Sequence, residues 1–179
     1  MELDEELAGH GGETTALAAF VDSDRVRGAS VSDSAAWLIS PAREMTDLTV
    51  HQRRKPLIGS GEALPVEFEA ELRGGRLLLA TDGLTKYVTA ERICALATKG
   101  SVVKAADSLT ACVRLPSGGL QDDVAVVIVG LLIMPGSRVR VPPFPPTLFK
   151  HLHITLPTLE RFSREFRVSL LSDSPPQRD

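Results

Sequence analysis

The segment from residue 66 to residue 80, VEFEAELRGGRLLLA, constrains the fold more than any other part of the chain. It opens with strict alternation. Val66, Phe68, Ala70 and Leu72 fall on one side of an extended chain, and Glu67, Glu69 and Glu71 fall on the other. That pattern belongs to a strand with one dry face and one solvated face. Arg73, Gly74 and Gly75 turn the chain, and the run from Leu77 to Ala80 reads as a buried strand. Antiparallel sheet is therefore the expected framework. A carboxylate, Asp82, stands at the end of the buried strand, where an uncompensated charge is costly.

Upstream, TTALAAFV (14–21), a DSD turn, RVRGASV (25–31) and SAAWLI (34–39) read as three further strands, with Trp37 as core filler. Downstream, TAERICALAT places Ile93, Leu96 and Ala97 at helical spacing behind a Thr89 N-cap. VVKAADSLTACV repeats that spacing with Val102, Ala105, Ala106, Leu109 and Val113. LPSGGLQ breaks the second helix, and DVAVVIVGLL closes as a long apolar strand. Strands followed by two helices and a final strand give an α+β plan, with helices on one face of an antiparallel sheet.

The chain divides near residue 133. Residues 1–133 read as a folded domain, whereas residues 135–146 carry five prolines. Residues 134–179 are expected to be an irregular tail, with one weak helix near 157–167. A net charge of -3 gives no reason to expect nucleic acid. No apolar run is long enough for a membrane span, and the acidic N-terminal decapeptide is no signal peptide. Cys94 and Cys112 sit in apolar helical patterns and read as core residues in a reducing compartment. A soluble cytoplasmic protein is the expectation.

Three carboxylates carry the candidate chemistry. Asp82 ends one strand, Asp122 opens the last strand, and Asp33 lies in a turn between two strands. Each also has a plain local reading: Asp33 as turn former, Asp82 as helix N-cap, Asp122 as turn residue. If the strand ends converge, the charges repel unless a hard divalent cation lies between them. No nucleophile is identified, because Ser34 lacks a local base partner. PLIGSGEALP lacks the strand-to-helix context of a nucleotide cradle.

In order, the segments GGETTALAAFV, GASVSDSAAWLI, LLLATDGLTKYV, AADSLTACV and GGLQDDVAVVIV resemble the second half of the metal-dependent protein phosphatase family (PPM, type 2C serine/threonine phosphatases), over roughly residues 9–132. The resemblance implies a partial α-β-β-α sandwich of antiparallel sheets with helices outside. It implies metal-dependent hydrolysis of phosphoserine and phosphothreonine in phosphoprotein substrates, with Mg²⁺ or Mn²⁺ as cofactor. By position, Asp82, Asp122 and Asp33 resemble metal ligands, and Asp123 stands where the family often has asparagine. The basic loop HQRRKP offers His51, Arg53 and Arg54 as a substrate-phosphate contact, with a solvated charge run as the plain alternative.

Departures from the family pattern shape the expectation. The first half of the family's domain has no counterpart in this sequence. AGHGG imitates its Asp-Gly-His-Gly-Gly motif, but Ala8 stands in the place of the bridging aspartate, so His10 is expected to be an exposed loop residue. Lys86 stands where the family usually has an aspartate, Ser32 replaces a glycine, and Ala125 replaces a threonine. Two functions follow as expectations. One is a phosphatase domain completed by another chain or a longer product. The other is a catalytically inactive phosphatase-like binding or regulatory module, or a gene remnant with no retained role.

Overall fold

The computed structural model describes residues 2–22, 24–130 and 167–171. The elements in chain order are α1 (Glu2–His10), β1 (Ala16–Asp22), β2 (Arg25–Val31), β3 (Ala35–Ile39), β4 (Met45–Asp47), β5 (Val66–Glu71), β6 (Arg76–Ala80), α2 (Asp82–Thr85), α3 (Ala90–Ala97), α4 (Val102–Ala111), β7 (Val124–Gly130) and β8 (Arg167–Leu171). They build two antiparallel sheets. One has the order β1-β2-β5 and the other β4-β3-β6-β7-β8.

β5 and β6 follow one another in sequence but lie in different sheets. Arg73, Gly74 and Gly75 therefore form a corner between layers rather than a hairpin. The alternation explains why. Along β5 the glutamates are exposed and Val66, Phe68 and Ala70 are half-buried. On the wet face Arg25 and Arg27 of β2 reach Glu69 at 2.5 and 3.3 Å. Exposed pairs of this kind contribute little stability. The dry face joins the inter-sheet core, where Val26, Leu72, Leu77 and Val129 are buried and Phe68, Leu79 and Val127 pack around them.

β6 serves two cores because its side chains alternate. Leu77 and Leu79 face the other sheet, while Leu78 and Ala80 face the helices. Trp37, Leu78 and Ile128 are register partners across β3, β6 and β7. They lie in one apolar cluster with Ile93 and Ala97 of α3 and Ala105, Ala106 and Leu109 of α4. Both helices begin at hydroxyl caps. Thr89 accepts from the Arg92 amide and Ser101 from the Lys104 amide. At the other end of α3, the Arg76 guanidinium donates to the carbonyls of Ala97 (2.6 Å) and Gly100. The α+β plan of two antiparallel sheets with helices outside is the architecture observed.

Several elements differ from the sequence reading. The N-terminal decapeptide forms α1, so His10 is exposed but closes a helix instead of lying in a loop, and its Nδ1 donates to the Glu6 carbonyl (2.8 Å). The Pro-rich stretch of the tail lies outside the described residues. So does the helix expected near 157–167, except for its last residue, which opens β8. Residues 167–171 are thus not irregular. They pair with β7 from Arg167↔Ile128 to Leu171↔Val124 and cover an edge that would otherwise present unpaired backbone groups. Both cysteines are free, and burial pushes each thiol upward in pKa. Among the described residues, no helix is long and apolar enough to cross a membrane.

α1 is held by Leu7, which packs against Val31, Ile58 and Ala63, and by one carboxylate. Asp4, only 2% exposed, accepts from the amides of Gly59 (2.6 Å), Gly61 (3.2 Å) and Ala63 (2.9 Å). Gly59 has φ of +99°, and a Cβ there would lie 1.9 Å from the Gly12 carbonyl oxygen, so only glycine suits this turn. Burial raises the Asp4 pKa, but the three amide bonds outweigh it and hold the carboxyl below its ordinary range. The sign follows: a depressed carboxyl stabilises the fold above its unfolded-state pKa, and that stabilisation is lost as pH falls through the folded value. Asp4→Asn is therefore expected to lower the melting temperature at pH 7 by roughly 5 °C. The difference from wild type should shrink on acidification below about pH 4. Thermal unfolding followed by circular dichroism across pH checks both.

Candidate functional site

The site forms where β6 ends and β7 begins. Thr81 leaves β6 with an extended backbone and stitches itself to the β7 approach. Its amide donates to the Ala125 carbonyl (3.1 Å), and its hydroxyl accepts from the Ala125 amide (3.0 Å) and donates to the Asp123 carbonyl (3.2 Å). Asp82 follows as the first residue of α2, so the N-cap position belongs to Thr81 and not to Asp82. Next comes Gly83, where a Cβ would lie 2.2 Å from the Asp123 carbonyl oxygen. The close approach of the two segments thus depends on a hydroxyl and on a missing side chain. Both lay beside Asp82 in the sequence, but nothing local marks their partner.

The consequence is convergence. Lys86, one helical turn after Asp82, ion-pairs with its carboxylate and stands 3.8 Å from Oδ2 of Asp122. Asp122 is oriented by the Asp123 amide, which donates to Oδ1 at 2.9 Å. The hydrogen bond and charge of Asp82 come first, then the charges of Asp122 and Asp33. Together they outweigh partial desolvation and raise the Lys86 ammonium above its ordinary pKa. The spacing of Asp82 and Lys86 is the i, i+4 pairing that a helix allows.

Asp33 enters the same region from the β2–β3 turn. Ser32 before it has φ of +78°, a conformation glycine adopts without penalty, which gives a physical reason for the family's glycine at this place. The buried Ser32 hydroxyl is satisfied by donating to the Arg54 carbonyl (2.8 Å). That bond fixes the basic loop beside Asp33. Asp33, Asp82, Lys86 and Arg54 line one open cleft of about 390 Å³ with Asp47, Thr49, Gln52 and Thr85. Asp47 was not anticipated. Its Oδ1 accepts from the Thr49 amide (2.8 Å) and hydroxyl (2.7 Å), an aspartate turn that its D-x-T spacing could have signalled. Of the basic triplet, Arg54 lines the cleft, and His51 and Arg53 are exposed outside it.

The divalent ion implied by the resemblance can be tested against this arrangement. Mg²⁺ or Mn²⁺ requires several oxygen ligands directed at one point. Here the direction in which Asp82 and Asp122 converge is occupied by an ammonium group. Among the described residues, no group of three or more His, Cys, Asp or Glu side chains is placed to hold a metal ion. As arranged, these side chains fit a lysine-centred ion-pair cluster and not a divalent cation.

No family model matches the sequence, and no curated protein matches it. Solved structures do. A bacterial serine phosphatase bearing an R161E mutation superposes with a TM-score of 0.63 at 25% identity, over 73% of this chain and 62% of its own length. The serine/threonine phosphatase Stp1 from Staphylococcus aureus gives 0.62 at 22% identity, over 73% of this chain and 64% of that one. The catalytic domain of the serine/threonine protein phosphatase PstP, in complex with two manganese ions, gives 0.56 at 23% identity, over 70% and 64%. The chain thus spans less than two thirds of the length of these structures. Its two-sheet architecture, the order of its elements and this likeness together give the chain the fold of these bacterial serine/threonine phosphatase structures.

Proposed function

We propose that this chain is the later portion of a metal-dependent protein serine/threonine phosphatase domain, and that it engages phosphoserine or phosphothreonine segments of protein substrates at the Asp33–Arg54–Asp82 cleft. The observation that carries the reading is the meeting of Asp82 and Asp122 at one end of the sheets, on the fold the relatives share. Hydrolysis requires the remainder of the domain, from a longer product or a partner chain, and Mg²⁺ or Mn²⁺ as the family's ion. The basic loop supports the phosphate assignment. Arg54 lines the cleft and, like Arg53 in the same loop, makes no ion pair among the described residues, so its guanidinium is available to an incoming anion, with His51 exposed beside it.

A second reading is favoured by one specific observation. With Lys86 between the carboxylates, the chain as described is a catalytically inactive phosphatase-like module that binds without turnover. Binding and turnover are separable. The full chain is expected to bind a phosphothreonine peptide about tenfold more tightly than its unphosphorylated form, read by fluorescence anisotropy. Arg54→Ala should remove that preference. Equal binding of both peptides, with no turnover in Mn²⁺, would contradict the phosphatase-type assignment. Mn²⁺-stimulated turnover that Asp82→Asn abolishes would decide for the catalytic reading over the silent one.

A further inference from the structure

We propose that Lys86 is a built-in cation that excludes divalent metal from the Asp82–Asp122 pair, and that the wild-type cluster is a metal-independent clamp joining the β6–α2 corner to the start of β7. The inference rests on the phosphatase reading only for the choice of ion excluded.

The geometry makes the exclusion specific. Lys86 is the C-cap of α2 and stands four residues after Asp82, so its ammonium returns to that carboxylate within one helical turn. From there it stands 3.8 Å from Asp122. An ammonium on a tethered side chain need not be recruited from solution, whereas a dication must shed tightly held water to enter. The pair of carboxylates is thereby neutralised from within, and their mutual repulsion is removed without a metal. The same ion pairs bridge two segments that Thr81 already stitches through backbone and hydroxyl bonds, so the clamp adds a charged contact to a corner with fixed geometry. A dication placed between these carboxylates would meet the Lys86 ammonium at close range, and the like charges repel.

Electron paramagnetic resonance of free Mn²⁺ reads the exclusion without any enzymatic activity. In titrations of the full chain, wild type is expected to leave the free-ion signal undiminished up to about 1 mM Mn²⁺. Lys86→Ala should tighten Mn²⁺ binding by about tenfold or more, because it removes a neighbouring positive charge and frees both carboxylates. Lys86→Arg, which keeps the charge, should continue to exclude the ion, and circular dichroism of each variant checks that it is folded. Adding Asp82→Asn to Lys86→Ala should return binding to the wild-type level. Wild type binding Mn²⁺ as tightly as Lys86→Ala would overturn the proposal and leave the phosphatase reading standing. A folded Lys86→Ala chain that binds no better than wild type would also overturn it. Loss of the phosphopeptide preference, by contrast, bears on the phosphatase reading and leaves the lysine clamp untouched.

Discussion

Gly83→Ala is expected to destabilise the fold by about 3 kcal/mol or more. The added methyl would sit 2.2 Å from the Asp123 carbonyl oxygen and 3.0 Å from its carbonyl carbon. Those atoms are backbone, so no flexible side chain can yield. Either the β6–α2 corner or the approach to β7 must shift, and the bonds that join Thr81 to Ala125 and Asp123 are strained with it. The same shift separates Asp82 from Asp122, so the variant should lose the Lys86 clamp as well as stability. Gly9 supplies the control. A Cβ there meets nothing within 4 Å, and its place in α1 should make Gly9→Ala neutral or slightly stabilising. Urea denaturation of both variants makes the comparison, and equal midpoints would contradict the proposed packing at the site.

Leu78→Ala is expected to cost about 2–5 kcal/mol, the range for a large side chain removed from a packed core. Leu78 is 1% exposed and lies between its register partners Trp37 and Ile128, beneath the helices of the larger sheet. A cavity at the centre of that row cannot be filled from either flank, because both neighbours are held in β-ladders. Val103 on α4 is 45% exposed, and Val103→Ala should change stability by about 0.5 kcal/mol or less. Chemical denaturation again reads the difference. Similar losses for the two substitutions would mean that Leu78 is not at the core described here.

These two residues show what the sequence makes legible. Leu78 could be assigned to a buried strand because an apolar run between turn residues has few other solutions. The wet face of β5 was equally plain from Glu67, Glu69 and Glu71. The sheet to which each strand belongs was not. β5 and β6 are neighbours in the chain but partners of β2 and β3, and register of that kind is decided by long-range packing. α1 was not legible because Asp4 and Leu7 attach it to a loop some fifty residues or more away, contacts with no local pattern. β8 was obscured by the proline-rich stretch before it.

At the site, the convergence of Asp82 with Asp122 was readable from two strand ends, and Lys86 from its position one turn after Asp82. Thr81 and Gly83, which create the convergence, were not, because each acts on the backbone of a segment far along the chain. Ser32 is intermediate. Its replacement of a glycine was visible, but the positive φ that gives the replacement meaning required coordinates.

Crystals of the full chain grown in Mn²⁺, with anomalous scattering recorded at the manganese edge, test the central claim most directly. The account predicts the Lys86 ammonium in density between Asp82 and Asp122, and no anomalous peak there. A manganese peak coordinated by both carboxylates, with Lys86 turned out to solvent, would contradict it.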